Sequence, residues 1–342
     1  MTKKQILFVV NPKSGLGRKS AIETEIKHKI DKSKYEFDII HTKHRGHATE
    51  IAAQHRDKAD AIIAVGGDGT VNEVGAGLVG STTALGIIPC GSGNGLAREL
   101  DIPLRTSSSI EVINEFETKS IDILKVGDRY SLNVAGIGFD AYISHLFADK
   151  KRRGPLQYMN LIAREFPKYK AQNYVLNFDG DIFFRTAFLI SFANSSQWGN
   201  NIHIAPNARI DDGLMDVCMV SEFPNYAIPA LVISLLNQSI DTNKYDEMIR
   251  TKSVTINSDC EIPAHVDGEP FFLQPYSKIE IIHLGLNVIK PSADYFESLR
   301  FMPALLREQI LSTRDQFRNT KDQILTRVKE TSSEIKQIFK DK

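Results

Sequence analysis

The sequence predicts an α/β protein of two domains, a Rossmann-like parallel α/β domain followed by a β-sandwich. Three observations carry this expectation. Apolar strand-like runs alternate with helix-like segments over roughly the first 120 residues, the order a parallel sheet requires. Three of those strands run into loops rich in Gly, Ser and Asn. After about Asp122 the texture changes to short strands separated by turn signals.

In chain order, Ile6 to Val10 is a buried strand, followed by the loop Asn11-Pro12-Lys13-Ser14-Gly15 and a helix from about Lys19 to Ile30. Tyr35 to Thr42 is a second strand and Ala48 to Arg56 a second helix. The apolar strand Ala61 to Val65 enters Gly66-Gly67-Asp68-Gly69, and a third helix starts near Thr70. Ala84 to Ile88 is a fourth strand, ending in Pro89-Cys90-Gly91-Ser92-Gly93-Asn94-Gly95. In open α/β sheets ligands bind at the carboxyl ends of strands, so these loops are expected to converge on one crevice.

The second half reads as strands Tyr174 to Phe178, Phe183 to Phe192, Met215 to Val220, Ser253 to Ile256 and Lys278 to His283, with a turn at Asp179-Gly180. Helices are few: Ala141 to Lys170 in pieces, and Tyr226 to Gln238. The expected domains are 1–122 with a returning segment near 292–310, then 123–291. An extension over 303–342 carries apolar residues at helical spacing. It could pack on the first domain, pair with a second copy as a homodimer, or lie on a membrane.

Bulk properties narrow the function classes. The chain has 342 residues, 42% of them hydrophobic and 25% charged, enough for two cores. Its net charge of +0 removes any global electrostatic case for nucleic acid. Cys90, Cys218 and Cys260 are scattered, which argues for a reducing compartment and against a disulfide frame or zinc site. Met-Thr-Lys-Lys before Ile6 to Val10 lacks a signal peptide's pattern. The longest apolar run, Tyr226 to Leu236, is about half a membrane span and contains Pro229. A soluble, cytoplasmic protein is expected.

The glycine turn carries the chemistry. Glycine lets backbone approach a ligand closely, and a turn at the head of a helix points N–H groups at an anion. No G-x-x-x-x-G-K-[ST] occurs, so this is a phosphate cradle of another kind. A bare carboxylate at Asp68 would repel phosphates unless a metal ion, a ribose hydroxyl or a proton stands between. Ser14, Ser92 and Asn94 add donors. Gly75-Ala76-Gly77-Leu78-Val79-Gly80 fits G-x-G-x-x-G but sits in a helix, where small residues serve close packing.

Other features each leave two readings open. Asp211-Asp212-Gly213 suits a hard cation or a hairpin turn. Asp267-Gly268-Glu269 offers a general base or an exposed turn. Lys150-Lys151-Arg152-Arg153, with Tyr158, Phe166 and Tyr169 nearby, suits an anionic membrane surface or a solvated helix face. Phe183, Phe184, Phe188 and Phe192 could line an acyl pocket or form plain core. The histidines show no metal-ligand spacing.

Taken together, Asn11 to Gly15, Gly66-Gly-Asp-Gly-Thr-Val-Asn-Glu73 and Pro89-Cys-Gly-Ser-Gly-Asn94 resemble the diacylglycerol kinase catalytic-domain superfamily, from about Gln5 to Pro291. The Gly-Gly-Asp-Gly-Thr element alone is shared with NAD kinases and echoed in phosphofructokinases, which implies their α/β domain. The resemblance implies ATP contacts at Asn11, Pro12, Lys13, Ser14, Gly15, Thr42, Gly66, Gly67, Asp68, Gly69, Thr70, Val71, Asn72, Glu73, Ser92 and Asn94. It implies a structural Mg2+ around Asp212 and the Leu214 carbonyl, linked to the nucleotide site by Asp122. Arg209 stands where the family can carry a carboxylate, so only its backbone oxygen could ligate. Asp267 and Glu269 match carboxylates that act as base for a lipid hydroxyl, Glu269 ranked first. Gly95 departs toward the sphingosine kinase form, which weakens any assignment of diacylglycerol itself as acceptor. The expectation is an ATP-dependent lipid kinase that meets its substrate at a membrane surface. In it Asp68 acts catalytically through a phosphate-bridging Mg2+. The rivals are a soluble-metabolite kinase such as NAD kinase, and a non-catalytic nucleotide-binding protein.

Overall fold

The computed structural model describes residues 2–14, 19–148, 150, 155–199 and 202–300. The first domain comprises β1 (Lys4–Val10), α1 (Lys19–Lys29), β2 (Tyr35–His41), α2 (His47–His55), β3 (Ala61–Gly66), α3 (Asp68–Leu78), β4 (Ala84–Pro89), α4 (Gly95–Glu99) and α5 (Thr106–Glu115). Its strands are parallel in the order β4-β3-β1-β2. Every residue of β3 and β4 is buried. Strands covered on both faces read as continuous apolar runs, which is why these two were so legible. Ile62 and Ala64 pack one way against α2 and α3, while Ala61, Ile63 and Val65 pack the other way against α1 and α5. Gly75 and Gly77 belong to α3 and serve packing. A Cβ at Gly77 would lie 2.7 Å from the Ala52 Cβ, and one at Gly75 2.8 Å from Leu132 Cδ1.

The chain continues through β5 (Thr118–Val126), β6 (Arg129–Ser131), β7 (Val134–Gly138), α6 (Phe139–Ala148), α7 (Pro155–Glu165), β8 (Gln172–Phe178) and β9 (Asp181–Ala193). Then come β10 (Gln197–Gly199), β11 (Ile202–His203), β12 (Met215–Ser221), α8 (Ile228–Leu236), β13 (Asp246–Thr251), β14 (Ser253–Asn257), β15 (Ile262–Val266), β16 (Glu269–Leu273), β17 (Ser277–Ile289) and α9 (Ala293–Arg300). This second domain is an antiparallel, β-sandwich-like unit with a core of Leu124, Ile137, Leu176, Ile190, Phe192 and Val217 among others. Tyr295 of α9 returns to pack in the first domain.

One strand joins the two domains. β17 pairs with β5 along its length, with β14 at its start and with β4 at its end, where Val288 lies opposite Leu85. Sequence patterning ends that strand at His283. In the fold it continues to Ile289 through an irregularity between Ile282 and Leu286, where Leu284 takes a positive φ of 49°. The bulge mimics a turn signal without ending the pairing. The expected boundary at 122 falls inside β5.

The four phenylalanines of β9 do not line one pocket. Phe192 is in the domain core, Phe188 joins an aromatic cluster with Phe139, Phe166, Tyr169 and Phe223, Phe183 packs on Phe178, and Phe184 is exposed. Successive strand residues face opposite sides, and a register shift at Ala187–Leu189 breaks the alternation again. No described helix is long and apolar enough to cross a membrane. Lys150 is exposed, whereas Gly15, Lys151–Arg153 and the 303–342 extension lie outside the described residues.

Candidate active site

The loops after β1, β3 and β4 lie side by side because those strands are neighbours in the sheet. Asn11 links the first two: its Nδ2 donates to Thr70 Oγ1 at 3.0 Å, and its Oδ1 accepts from Lys13 N at 2.9 Å. Ser14 Oγ donates to the Asn11 carbonyl at 2.9 Å. The second and third loops touch backbone to backbone. A Cβ at Gly91 would lie 2.7 Å from Gly67 Cα, so any side chain there would force the loops apart. Asn94 sits at a positive φ of 51° and closes its side chain on Gly91, accepting from its N and donating to its O, both at 2.9 Å.

Asp68 ties these loops together. Its Oδ2 accepts from Asn94 N at 2.9 Å and its Oδ1 from Gly95 N at 2.6 Å. Burial pushes the Asp68 carboxyl above its usual range, the Gly95 and Asn94 N–H groups pull it back, and the charge of Asp267 adds to the rise. The partner that a carboxylate needs beside phosphates is thus supplied by backbone amides. A metal is not required to hold it. The first N–H groups of α3 have no intrahelical acceptor, and no side chain caps them. The residues therefore fit an anion at Gly67 to Gly69.

Several expected nucleotide contacts carry structural duties. Glu73 accepts from Gly46 N at 2.8 Å and from Ala48 N at 3.1 Å, and so caps α2 with both oxygens. Asn72 Nδ2 donates to Tyr130 O at 2.9 Å and to Asp267 Oδ2 at 2.7 Å, across the domain junction. Val71 is buried. A Cβ at Gly66 would collide with Thr70. Thr42 N donates to Val10 O at 2.9 Å, at the end of β2. Pro12, Lys13 and Ser92 are exposed at the rim.

The two carboxylates of the second domain differ in kind. Asp267 Oδ1 accepts from Ser131 Oγ at 2.7 Å, Asn133 N at 2.9 Å and Val134 N at 3.2 Å. Its Oδ2 accepts from Asn72 Nδ2 and from Leu132 N at 2.9 Å. Five donors occupy its two oxygens, so Asp267 fastens the β15–β16 turn to residues 131–134 and, through Asn72, to the first domain. Glu269 is the accessible carboxylate. Its Oε1 lies 3.1 Å from where a Cβ on Gly69 would be, and its Oε2 meets Arg45 Nη2 at 2.6 Å. That places it opposite the first turn of α3.

The expected structural Mg2+ set does not form a cation cage. Asp122 is fully buried and held by three partners: Oδ2 accepts from Gly213 N at 2.6 Å, Oδ1 from Leu284 N at 2.7 Å, with His283 Nδ1 also at 2.7 Å. Asp212 Oδ1 accepts from Leu214 N at 3.1 Å, and its Oδ2 is held by Arg250 Nη2. Arg250 Nε reaches Asp216 Oδ1 at 3.1 Å. Burial raises the Asp216 pKa, Arg250 lowers it and Asp212 adds to the rise. Arg209 turns to Asp211, which also binds Lys119 at 2.8 Å. The positive charge between Asp212 and Asp216 is therefore a guanidinium.

Comparisons with known proteins bear on the whole chain. The family model for the diacylglycerol kinase catalytic domain matches residues 5–126, and that for the YegS C-terminal NAD kinase beta sandwich-like domain matches 133–290. A diacylglycerol kinase of Staphylococcus aureus (strain JH9) is 30% identical over 277 residues, covering 78% of this chain and 86% of that protein. The chain belongs to the diacylglycerol kinase catalytic-domain superfamily. Its counterpart from S. aureus (strain MRSA252) is 29% identical over 274 residues, with the same shares covered. A structure from Bacillus anthracis str. Sterne, assigned as a diacylglycerol kinase, superposes with a TM-score of 0.72 at 25% identity over 85% of this chain and 98% of that one. A second gives 0.71 at 27% identity, covering 86% and 97%.

This protein is therefore a member of a lipid-kinase family, with the parallel α/β and β-sandwich domains expected from its sequence. In this superfamily member the stretch between the two matched regions is not idle. It holds β6, whose Ser131 and the following Leu132 bind Asp267. Arg45 sits in no motif, yet it follows β2 at the sheet end where the glycine loops lie, and that position is its signal in the sequence. Arg98, whose Nε donates to Gly93 O at 2.9 Å, carried no signal of its own.

Proposed function

We propose that this protein is an ATP-dependent lipid kinase that transfers the γ-phosphate to a lipid hydroxyl, the acceptor being diacylglycerol, a sphingoid base or a related lipid. The observation that supports this best is Glu269, an accessible carboxylate on the second domain facing Gly69 of the anion cradle on the first. The N–H groups of Gly67 to Gly69 hold nucleotide phosphates, as helix N-termini do. Mg2+ bound with the nucleotide would supply neutralising charge at the phosphates. The acceptor oxygen attacks the γ-phosphorus, the bond to the β,γ-bridging oxygen breaks and ADP leaves. The hydroxyl proton passes to Glu269. Catalysis is positioning and charge neutralisation, as phosphoryl transfer generally is. Arg45, exposed beside Glu269, supplies a further positive charge at the transferring group. The acceptor chemistry implies peripheral contact with a membrane.

The test is incubation with labelled ATP and Mg2+, with either a lipid extract or NAD as acceptor. Label is expected in an organic-soluble product whose mass exceeds that of its parent lipid by one phosphate. Label in the NAD arm, or nucleotide-dependent thermal stabilisation with no transfer to any lipid, would overturn the assignment.

A further inference from the structure

A buried polar row in the second domain lies behind the turn that carries Glu269. His265 on β15, Gly136 on β7 and Ser191 on β9 face one another across three adjacent strands. Asp140, in the first turn of α6, reaches back over Gly136. A Cβ at Gly136 would collide with Asp140 Oδ2 and lie 2.8 Å from His265 Nε2, so only glycine leaves room for the pair. His265 Nε2 is 3.1 Å from Asp140 Oδ2, and Ser191 Oγ donates to the same oxygen at 3.4 Å. All three side chains are buried.

The other ring nitrogen faces the active-site turn. Gly268 N donates to His265 Nδ1 at 3.2 Å. Asp267 and Gly268 both take positive φ, 48° and 81°, and Val266 pairs with Glu269 across this two-residue turn. Accepting at Nδ1 requires the proton on Nε2, and the Asp140 carboxylate, an acceptor only, selects that tautomer. Asp267 clamps one end of the turn to the first domain. The imidazole holds its tip.

We propose that Asp140 and His265 are positioning residues. Asp140 fixes the Nε2–H tautomer of His265, which captures the Gly268 amide and sets Glu269 opposite Gly69. This rests on reading Glu269 as the proton acceptor. Asp140→Asn is nearly isosteric but can present an NH2 to Nε2, which releases the imidazole from its tautomer, as asparagine does beneath a catalytic histidine elsewhere.

The experiment joins kinetics to nitrogen-15 NMR of the imidazole. Wild type is expected to show an unprotonated Nδ1 and a protonated Nε2 at His265, and Asp140→Asn to lose that signature. Its kcat on the lipid acceptor is expected to fall about tenfold while KM for ATP moves by less than about twofold, since a base displaced by a fraction of an ångström weakens chemistry and not nucleotide binding. Should Asp140→Asn fail to fold, a second pair decides. His265→Asn, whose Oδ1 overlays Nδ1, should retain more turnover than His265→Leu, whereas a purely structural role would weaken both alike. An active wild type with an Nδ1–H imidazole, or with Asp140→Asn at full kcat, overturns the positioning role alone. A wild type that labels no lipid overturns the kinase reading and this role with it.

Discussion

Replacing Glu269 and Asp267 separately should divide chemistry from architecture. In Asp267→Asn one carboxylate oxygen becomes an NH2 that faces donors. If Oδ2 is replaced, Asn72 Nδ2 and Leu132 N lose their acceptor; if Oδ1, three donors do. At about 1–3 kcal/mol for each unpaired donor, the variant should be destabilised by about 4 kcal/mol. At about 2 °C per kcal/mol for a chain of this size, the melting temperature should fall by about 8 °C. Glu269→Gln removes only one half-exposed ion pair, worth at most about 1 kcal/mol, so melting should move by less than about 2 °C. Turnover should instead fall by about 10²–10⁴, the usual contribution of a general base. Both variants are to be measured in the same preparations by thermal melting and by lipid phosphorylation. A Glu269→Gln enzyme with kcat within about threefold of wild type would refute its role as proton acceptor. An Asp267→Asn protein that melts like wild type would show that its five hydrogen bonds do not anchor the β15–β16 turn.

Three further outcomes are expected. Asp68→Asn turns an NH2 toward the Asn94 or Gly95 N–H, so the loops should loosen and KM for ATP rise at least about tenfold, with about 1–3 kcal/mol of stability lost; an unchanged KM counts against the loop-tying role. Because Arg250 bridges Asp212 and Asp216, EDTA or millimolar Mg2+ should leave the melting temperature of the nucleotide-free protein unchanged, whereas Arg250→Met should make it respond to Mg2+; a wild type stabilised by Mg2+ alone would restore the metal site. Burial, with Asp241 and then Glu247 adding, pushes the Asp246 carboxyl up to about 7, and neither of its oxygens has a hydrogen-bond partner. The fold then holds a proton that the unfolded chain releases, so stability falls as pH rises from about 4 to about 7, and Asp246→Asn should gain about 1–2 kcal/mol at pH 8 but nothing below pH 4. Denaturant titrations at the two pH values check this, and an equal gain at both would remove the titration argument.

Legibility followed burial. β3 and β4 stood out because both faces are covered and each runs into a glycine-bearing loop. β7, which reads Val-Ala-Gly-Ile-Gly, and the five-residue β15 and β16 have no such contrast, and their pattern gives neither a clean alternation nor a continuous apolar run. Asp267 and Glu269 look equivalent in sequence, flanking one glycine. Their difference comes from partners as far away as Asn72, 195 residues off, and Ser131, 136 residues off.

The same division holds at the metal region. Asp212 beside Gly213 states a turn with carboxylates, and nothing local says which cation meets them. Arg250, 38 residues on, reaches Asp212 because β12 and β13 pair with Asp216 opposite Arg250. Backbone-level features, such as glycines at strand ends and a donor-rich helix start, are written in neighbouring residues, since they depend on conformational freedom and short spacing. Whether a given carboxylate is crowded with donors, ion-paired or accessible depends on which distant groups the fold brings to it, and that is set by strand order, register and the packing of helices such as α3 on the sheet.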